Sequence, residues 1–184
     1  GYDLYERKNF ILPLNRPYSV LQESYNENTR RNIRKAQHNG CEKSSVVSIN
    51  DVIELAGGIE RPGSMRDMEH FRNLYHFLEK KNMASVYGIH SASNELIACC
   101  AFLFSHNRAY YVLVGNHPNG RISGASHALI DTFIKEHAGT DLTLDFEGSD
   151  IAGIAQFYKS FGGLEEKYAA IKRNKLPWYV RWMK

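Results

Sequence analysis

Cysteine is scarce in this chain, and the little there is suits neither of its common structural uses. The 184 residues include three, Cys41, Cys99 and Cys100. An odd number without metal-ligand spacing supports neither a disulfide framework nor a zinc site. Cys99 and Cys100 lie within an apolar run, where a thiol serves as a small core residue. No metal is expected, and a reducing, cytoplasmic setting is. Long hydrophobic runs are also missing. The longest, Leu96 to Phe104, has the length of a strand, well short of the roughly 20 residues that span a bilayer. The first residues, Tyr2 to Asn9, are polar and charged, which excludes the apolar stretch of a signal peptide there and leaves room for a start inside a longer protein.

A strong charge of one sign is absent as well. The net charge is only +3, and residues 1–43 carry all of it, with eight Lys or Arg against five Asp or Glu. Nucleic-acid proteins show a broader bias, so such a partner is not expected on charge alone. Apolar residues make up 43% and charged residues 23%, the balance of one soluble globular domain with a real core.

Turn residues and hydrophobic periodicity divide the chain. Asn9 to Leu14 reads as a strand ended by Pro13 and Pro17, and Tyr18 to Asn39 as one long helix capped by Ser19 and closed by Gly40. Cys41 to Ile49 reads as a strand and Asp51 to Ala56 as a short helix capped by Asn50. Met65 to Lys81 is an amphipathic helix, with Met68, Phe71, Leu74, Tyr75 and Leu78 at three- and four-residue spacings. Ser85–His90, Glu95–Phe104 and Ala109–Val114 form a strand meander turned at Ser91–Asn94 and Ser105–Arg108. Alternation follows: helix Ser126–His137, strand Asp141–Glu147, helix Asp150–Phe161 and strand Leu164–Lys172, then an aromatic tail at Pro177–Tyr179. The order predicts an α/β fold, a central mixed and mostly antiparallel sheet flanked by helices. Residues 1–43 lead, as strand and basic helix, into a main part at 44–184, the whole forming one compact domain.

Two segments can carry chemistry. Arg121-Ile122-Ser123-Gly124-Ala125-Ser126 lies between a strand and a helix. A Gly- and Ser-rich turn at a helix N-terminus aims backbone N–H groups and a partial positive charge at one spot, which suits a pyrophosphate, and Arg121 adds a charge-assisted bond. A bulge at Gly115-Asn116 is expected to open the sheet beside it. The second segment pairs Asp145 and Glu147 at a strand end with Tyr158 on the next helix. Alternation puts Asp145 and Glu147 on one face. A carboxylate there can take a proton from an attacking amine, and a tyrosine can return one to a leaving thiolate or hydroxyl. Each residue also has a purely structural use: the carboxylates can cap or pair, and Tyr158 can pack.

The order of elements and both segments resemble the GNAT superfamily of acyl-CoA-dependent N-acyltransferases. Its Arg/Gln-x-x-Gly-x-Gly/Ala turn is matched at Arg121 and Gly124, with Ser126 as the last small residue. Its Phe-Tyr pair four residues before a glycine is matched at Phe157-Tyr158 and Gly162, while Ile151 and Gly163 replace its usual Asn and Phe. A nearer resemblance is to the branch holding the Fem-type peptidoglycan aminoacyl transferases. The matching stretches are Asn28 to Ala36, Phe146-Glu147-Gly148-Ser149 and Phe161-Gly162-Gly163.

The resemblance, over about residues 10 to 177, implies an acyl-CoA donor, most simply acetyl-CoA. Val114, Gly115, Asn116, Arg121, Gly124, Ala125 and Ser126 would hold that donor. Glu147 would be the base, with Asp145 in reserve, and Tyr158 the acid. The acceptor would be an amine on a small molecule or peptide. The branch implies two further alternatives. One is transfer from aminoacyl-tRNA to a cell-wall precursor, with Arg30, Arg31, Arg34 and Lys35 on phosphates; the other is a domain that binds without catalysis. It also implies an N-terminal GNAT-like half or a homodimer.

Overall fold

The computed structural model describes residues 2–57, 65–148 and 150–173. Among them is a seven-stranded sheet in the order β2-β3-β4-β5-β6-β1-β7. The strands are β1 (Tyr2–Pro13), β2 (Glu42–Lys43), β3 (Ala84–His90), β4 (Leu96–Ser105), β5 (Arg108–Asn116), β6 (Thr143–Gly148) and β7 (Leu164–Arg173). Every neighbouring pair is antiparallel except β5 and β6, which run parallel. This is the mixed, mostly antiparallel sheet that the element order predicts.

The helices are α1 (Tyr18–Glu23), α2 (Glu27–His38), α3 (Ile49–Gly57), α4 (Met65–Glu79), α5 (Pro118–Ser123), α6 (Ala125–His137) and α7 (Ala152–Lys159). The expected long helix at Tyr18–Asn39 is two helices, because Asn26 breaks it. Asn26 takes extended backbone and its side-chain oxygen accepts the Thr29 N–H, a cap stronger than continuation through Ser24-Tyr25-Asn26. The expected strand at Cys41–Ile49 shrinks to Glu42–Lys43. Ser48 and Asp51 exchange hydrogen bonds and start α3 early, so Ser48 rather than Asn50 organises its first turn.

Strand alternation sorts the core into two layers. Phe10, Leu12, Leu144, Phe146, Tyr111 and Phe102 point to one face, where they pack with Leu21 of α1, Ile33 of α2 and Leu129 and Phe133 of α6. Cys99 and Ala101 point to the other, under Ile49 and Val52 of α3 and Tyr75 of α4. Residues 1–43 therefore share the main core. The Tyr18 and Tyr25 hydroxyls both donate to the buried Asp131 carboxylate, tying the segment around α1 to α6.

β1 lies between β6 and β7 and is far longer than its apolar part. Pairing with β7 runs from Tyr2↔Arg173 to Ile11↔Leu164, so the charged stretch before Asn9 is strand as well. Among the described residues, no helix is long and apolar enough to cross a membrane.

Candidate active site at the parting of two parallel strands

β5 and β6 share a register only over Arg108↔Thr143, Ala109↔Leu144 and Tyr110↔Asp145. β5 then stays with β4, whereas β6 turns to β1 at Gly148↔Asn9. A wedge opens where they part. Each strand carries a bulge beside it. On β5 the register slips between Val112 and Val114, leaving Leu113 unpaired at φ 33°. On β6 it slips between Asp145 and Gly148, with Glu147 at φ 61°. Positive φ on residues with a Cβ is uncommon, and for bulky leucine it is an outlier that the surrounding packing must hold in place. The bulge expected at Gly115-Asn116 thus sits at Leu113. Gly115 serves close packing instead: a Cβ there would lie 2.8 Å from Leu55 Cβ and 3.0 Å from the Ala56 nitrogen of α3.

On the main-core face, aromatic rings fill the base of the wedge. Tyr158 stacks on Phe146 with centroids 4.7 Å apart, and its ring meets Tyr111 edge-on at 6.4 Å. Glu147 follows Phe146 directly but does not obey the strand's alternation, because the bulge re-aims it. It is exposed at the strand end, whereas Asp145 is buried. The two carboxylates expected to share a face therefore have different surroundings.

Asp145 is fully engaged. Its Oδ1 accepts from Asn9 Nδ2 at 3.0 Å and from the Glu147 backbone N–H at 2.9 Å, and its Oδ2 from Arg108 at 2.8 Å. Arg108 also forks onto Glu166, holding that carboxyl below its ordinary range. All of these bonds hold Asp145 within the sheet, where it ties β6 to β1 and β5. Glu147 differs. Loss of part of its solvation first, and then the Asp145 charge, raise its pKa above the ordinary glutamate value, the direction that favours proton uptake.

The expected anion turn has another form. Pro118–Ser123 is the helix α5, in which the Gly120 and Arg121 amides bond the His117 carbonyl and the Gly124 amide bonds the Gly120 carbonyl. Those N–H groups are spent within the helix. The Arg121 side chain is exposed, and Gly124, at φ 82°, links α5 to α6. A Cβ on Gly124 would drive into the Asn32 carbonyl of α2. The Ser126 hydroxyl donates to Asn116 Oδ1 at 2.6 Å, joining the end of β5 to the start of α6, and Ala125 is buried. Val114 pairs with Cys100 of β4. Of the residues expected to hold a donor, Asn116, Ala125 and Ser126 stand together. The amides of Ala125 and Ser126 belong to the first turn of α6, which has no intrahelical acceptors for them. Ser149 and the Pro177–Tyr179 tail lie outside the described residues.

Sequence reasoning missed Arg108, Leu113, Tyr111 and His127. His127, in the first turn of α6, meets Phe157 edge-on at 4.9 Å and Phe161 at 5.8 Å. Burial among these rings pushes its pKa from 6.5 down to about 4. Its folded pKa being depressed, the unfolded chain binds a proton that the folded chain refuses between those values. Stability should therefore fall as pH drops from 6.5 toward about 4. In His127→Phe the part of this loss due to His127 should vanish, as read from urea midpoints across that range.

No protein-family model matches the chain, and no curated protein matches it in sequence. Solved structures do. FemX superposes with a TM-score of 0.70 at 16% identity, covering 90% of this chain and 62% of that one. A GCN5-related N-acetyltransferase from Sphaerobacter thermophilus gives 0.58 at 14%, covering 94% and 53%. The C-terminal domain of a putative lysylphosphatidylglycerol synthetase from Agrobacterium fabrum gives 0.55 at 12%, covering 95% and 62%. The fold is the GNAT fold. Within it, the neighbours include a Fem-type structure, the branch that the basic stretch and the Phe-x-Gly-Ser and Phe-Gly-Gly motifs resemble. The chain spans about three fifths of FemX.

Proposed function

We propose that this domain transfers an acyl-type group from an activated carrier to an amine. The observation that carries this reading is the parting of β5 and β6 with a bulge on each strand, beside Glu147 and Tyr158. A wedge between parallel strands admits a linear acyl arm, and unpaired main chain at its edge can hydrogen-bond that arm. Glu147 takes a proton from the amine, the nitrogen attacks the carbonyl carbon, and the new C–N bond forms as the bond to the carrier breaks. Tyr158 supplies a proton to the departing atom.

Acyl-CoA, most simply acetyl-CoA, is the donor of the GNAT-type reading. A second donor is favoured by one feature, the helix α5. It engages amides that a pyrophosphate would need, and α2 seats directly on Gly124. That weighs toward an aminoacyl ester on tRNA, with Arg30, Arg31, Arg34 and Lys35 of α2 meeting phosphates. With a mixture of amines, aminoacyl-tRNA should be consumed faster than acetyl-CoA, and added salt should slow that reaction steeply. Micromolar affinity for CoA with thiol release would return the donor to acyl-CoA. If neither donor is consumed, the domain binds without catalysis.

A further inference from the structure

Three polar groups around Asp145 have no role in the transfer step just described, yet they converge on its base. Asp145 Oδ1 grips the Glu147 N–H at 2.9 Å, which fixes the left-handed residue at the tip of the bulge. Asp145 cannot turn away, because Asn9 holds one oxygen and Arg108 the other, at 3.0 and 2.8 Å. Arg108 is itself pinned from β7 by both oxygens of Glu166, each at 3.1 Å. The chain of bonds thus crosses β1, β5, β6 and β7 and ends on a single amide. Asn9 sits where the register of β6 with β1 slips, at Asn9↔Gly148, and Arg108 opens the short β5–β6 pairing at Arg108↔Thr143. Without that grip, Glu147 would relax to ordinary extended backbone, and strand alternation would send its side chain elsewhere.

We infer that Arg108 and Asn9 are positioning residues, which hold Asp145 so that it locks the Glu147 bulge and aims the Glu147 carboxylate at the wedge. This rests on Glu147 being the base, but the lock itself can be tested without a substrate. Charged and titratable groups on the surrounding elements include Glu6, Arg7 and Lys8 of β1, Arg108, Tyr110 and Tyr111 of β5, Tyr158 and Lys159 of α7, Glu165, Glu166, Lys167 and Tyr168 of β7, and Asp150.

Amide hydrogen exchange, measured by NMR on the full chain, reads the lock directly. In Arg108→Gln the Glu147 amide should exchange about tenfold faster, some 1.4 kcal/mol, while the amides of Leu144 and of β4 keep their rates. Arg108→Lys, which keeps the charge but loses the fork, should restore part of the protection. Should Arg108→Gln fail to fold, Glu166→Gln releases Arg108 on one side only and should speed exchange at Glu147 about threefold, about 0.7 kcal/mol. In Asp145→Asn the neighbouring charge is gone, so the Glu147 carboxyl should titrate closer to an ordinary glutamate. Once a reaction is assigned, Arg108→Gln should lower kcat with little change in KM.

Unchanged exchange at Glu147 in a folded Arg108 or Glu166 variant would overturn the proposal. So would an equal acceleration throughout β6, which marks general destabilisation. Exchange that behaves as expected in a protein with no transferase activity would leave the lock standing and remove only the functional reading.

Discussion

Tyr158→Phe should reduce turnover by about a hundredfold or more while leaving the fold and donor affinity nearly unchanged. A general acid typically contributes ~10²–10⁴-fold, and this substitution removes only the hydroxyl. The ring remains where packing puts it, stacked on Phe146 at 4.7 Å and within 6.1 Å of Phe10. Steady-state kinetics with the assigned donor, together with a thermal melt, would separate the two contributions. Full turnover in the folded variant would make Tyr158 a packing residue and favour a domain that binds without catalysis.

Gly124→Val should be the most damaging single change to stability. Gly124 sits at φ 82°, in the left-handed region that a β-branched residue strongly disfavours. Its new side chain would also meet the Asn32 carbonyl of α2, which is backbone and cannot swing aside. Backbone strain and overpacking together should cost about 4 kcal/mol, or roughly 10 °C in melting temperature for a chain of this size. Because α2 also reaches the end of α7 through the Thr29–Ser160 hydroxyl bond, its displacement would loosen both helices beside the wedge. Gly57→Ala is the matching control, since a Cβ there meets nothing within 4 Å. A melting temperature for Gly124→Val equal to that of the control would show that α2 does not press on this turn.

How far the sequence revealed this architecture depended on whether the deciding interaction was local. The helix Met65–Glu79 and the meander Ala84–Asn116 were legible because periodicity and turn residues fix them within short windows. An opening of the sheet beside β5 was also legible, although its bulge stands at Leu113 rather than at Gly115-Asn116. The extra length of β1 was not. Its first residues, Tyr2 to Lys8, are polar, and they are strand because β7 pairs with them. The turn at Arg121–Ser126 looked open because Gly and Ser favour turns, but His117 caps α5, and Pro118 begins it with the fixed φ that a first turn needs. Asp145 and Glu147 looked alike because alternation treats them alike. What distinguishes them is a bulge and two partners of Asp145, Asn9 and Arg108, that lie far away in the chain.

The insertion of β1 between β6 and β7 sets a timetable for assembly. Strands β3 to β5 can zip up as they leave the ribosome, since each pairs with the next. β1 emerges early but first meets β6 across Pro13↔Thr143 and is complete only at Tyr2↔Arg173. At ~5–20 residues per second, its partners follow on the order of ten seconds later. Through that interval a strand bearing Phe10, Ile11 and Leu12 has no native edge to pair with. The charges Asp3, Glu6, Arg7 and Lys8, unhelpful to the core, then act as gatekeepers beside the sticky segment. Closure across such sequence distances is also slow by topology. The candidate site is therefore completed late, since the Glu147 bulge forms against β1 and Arg108 gains Glu166 only when β7 has followed.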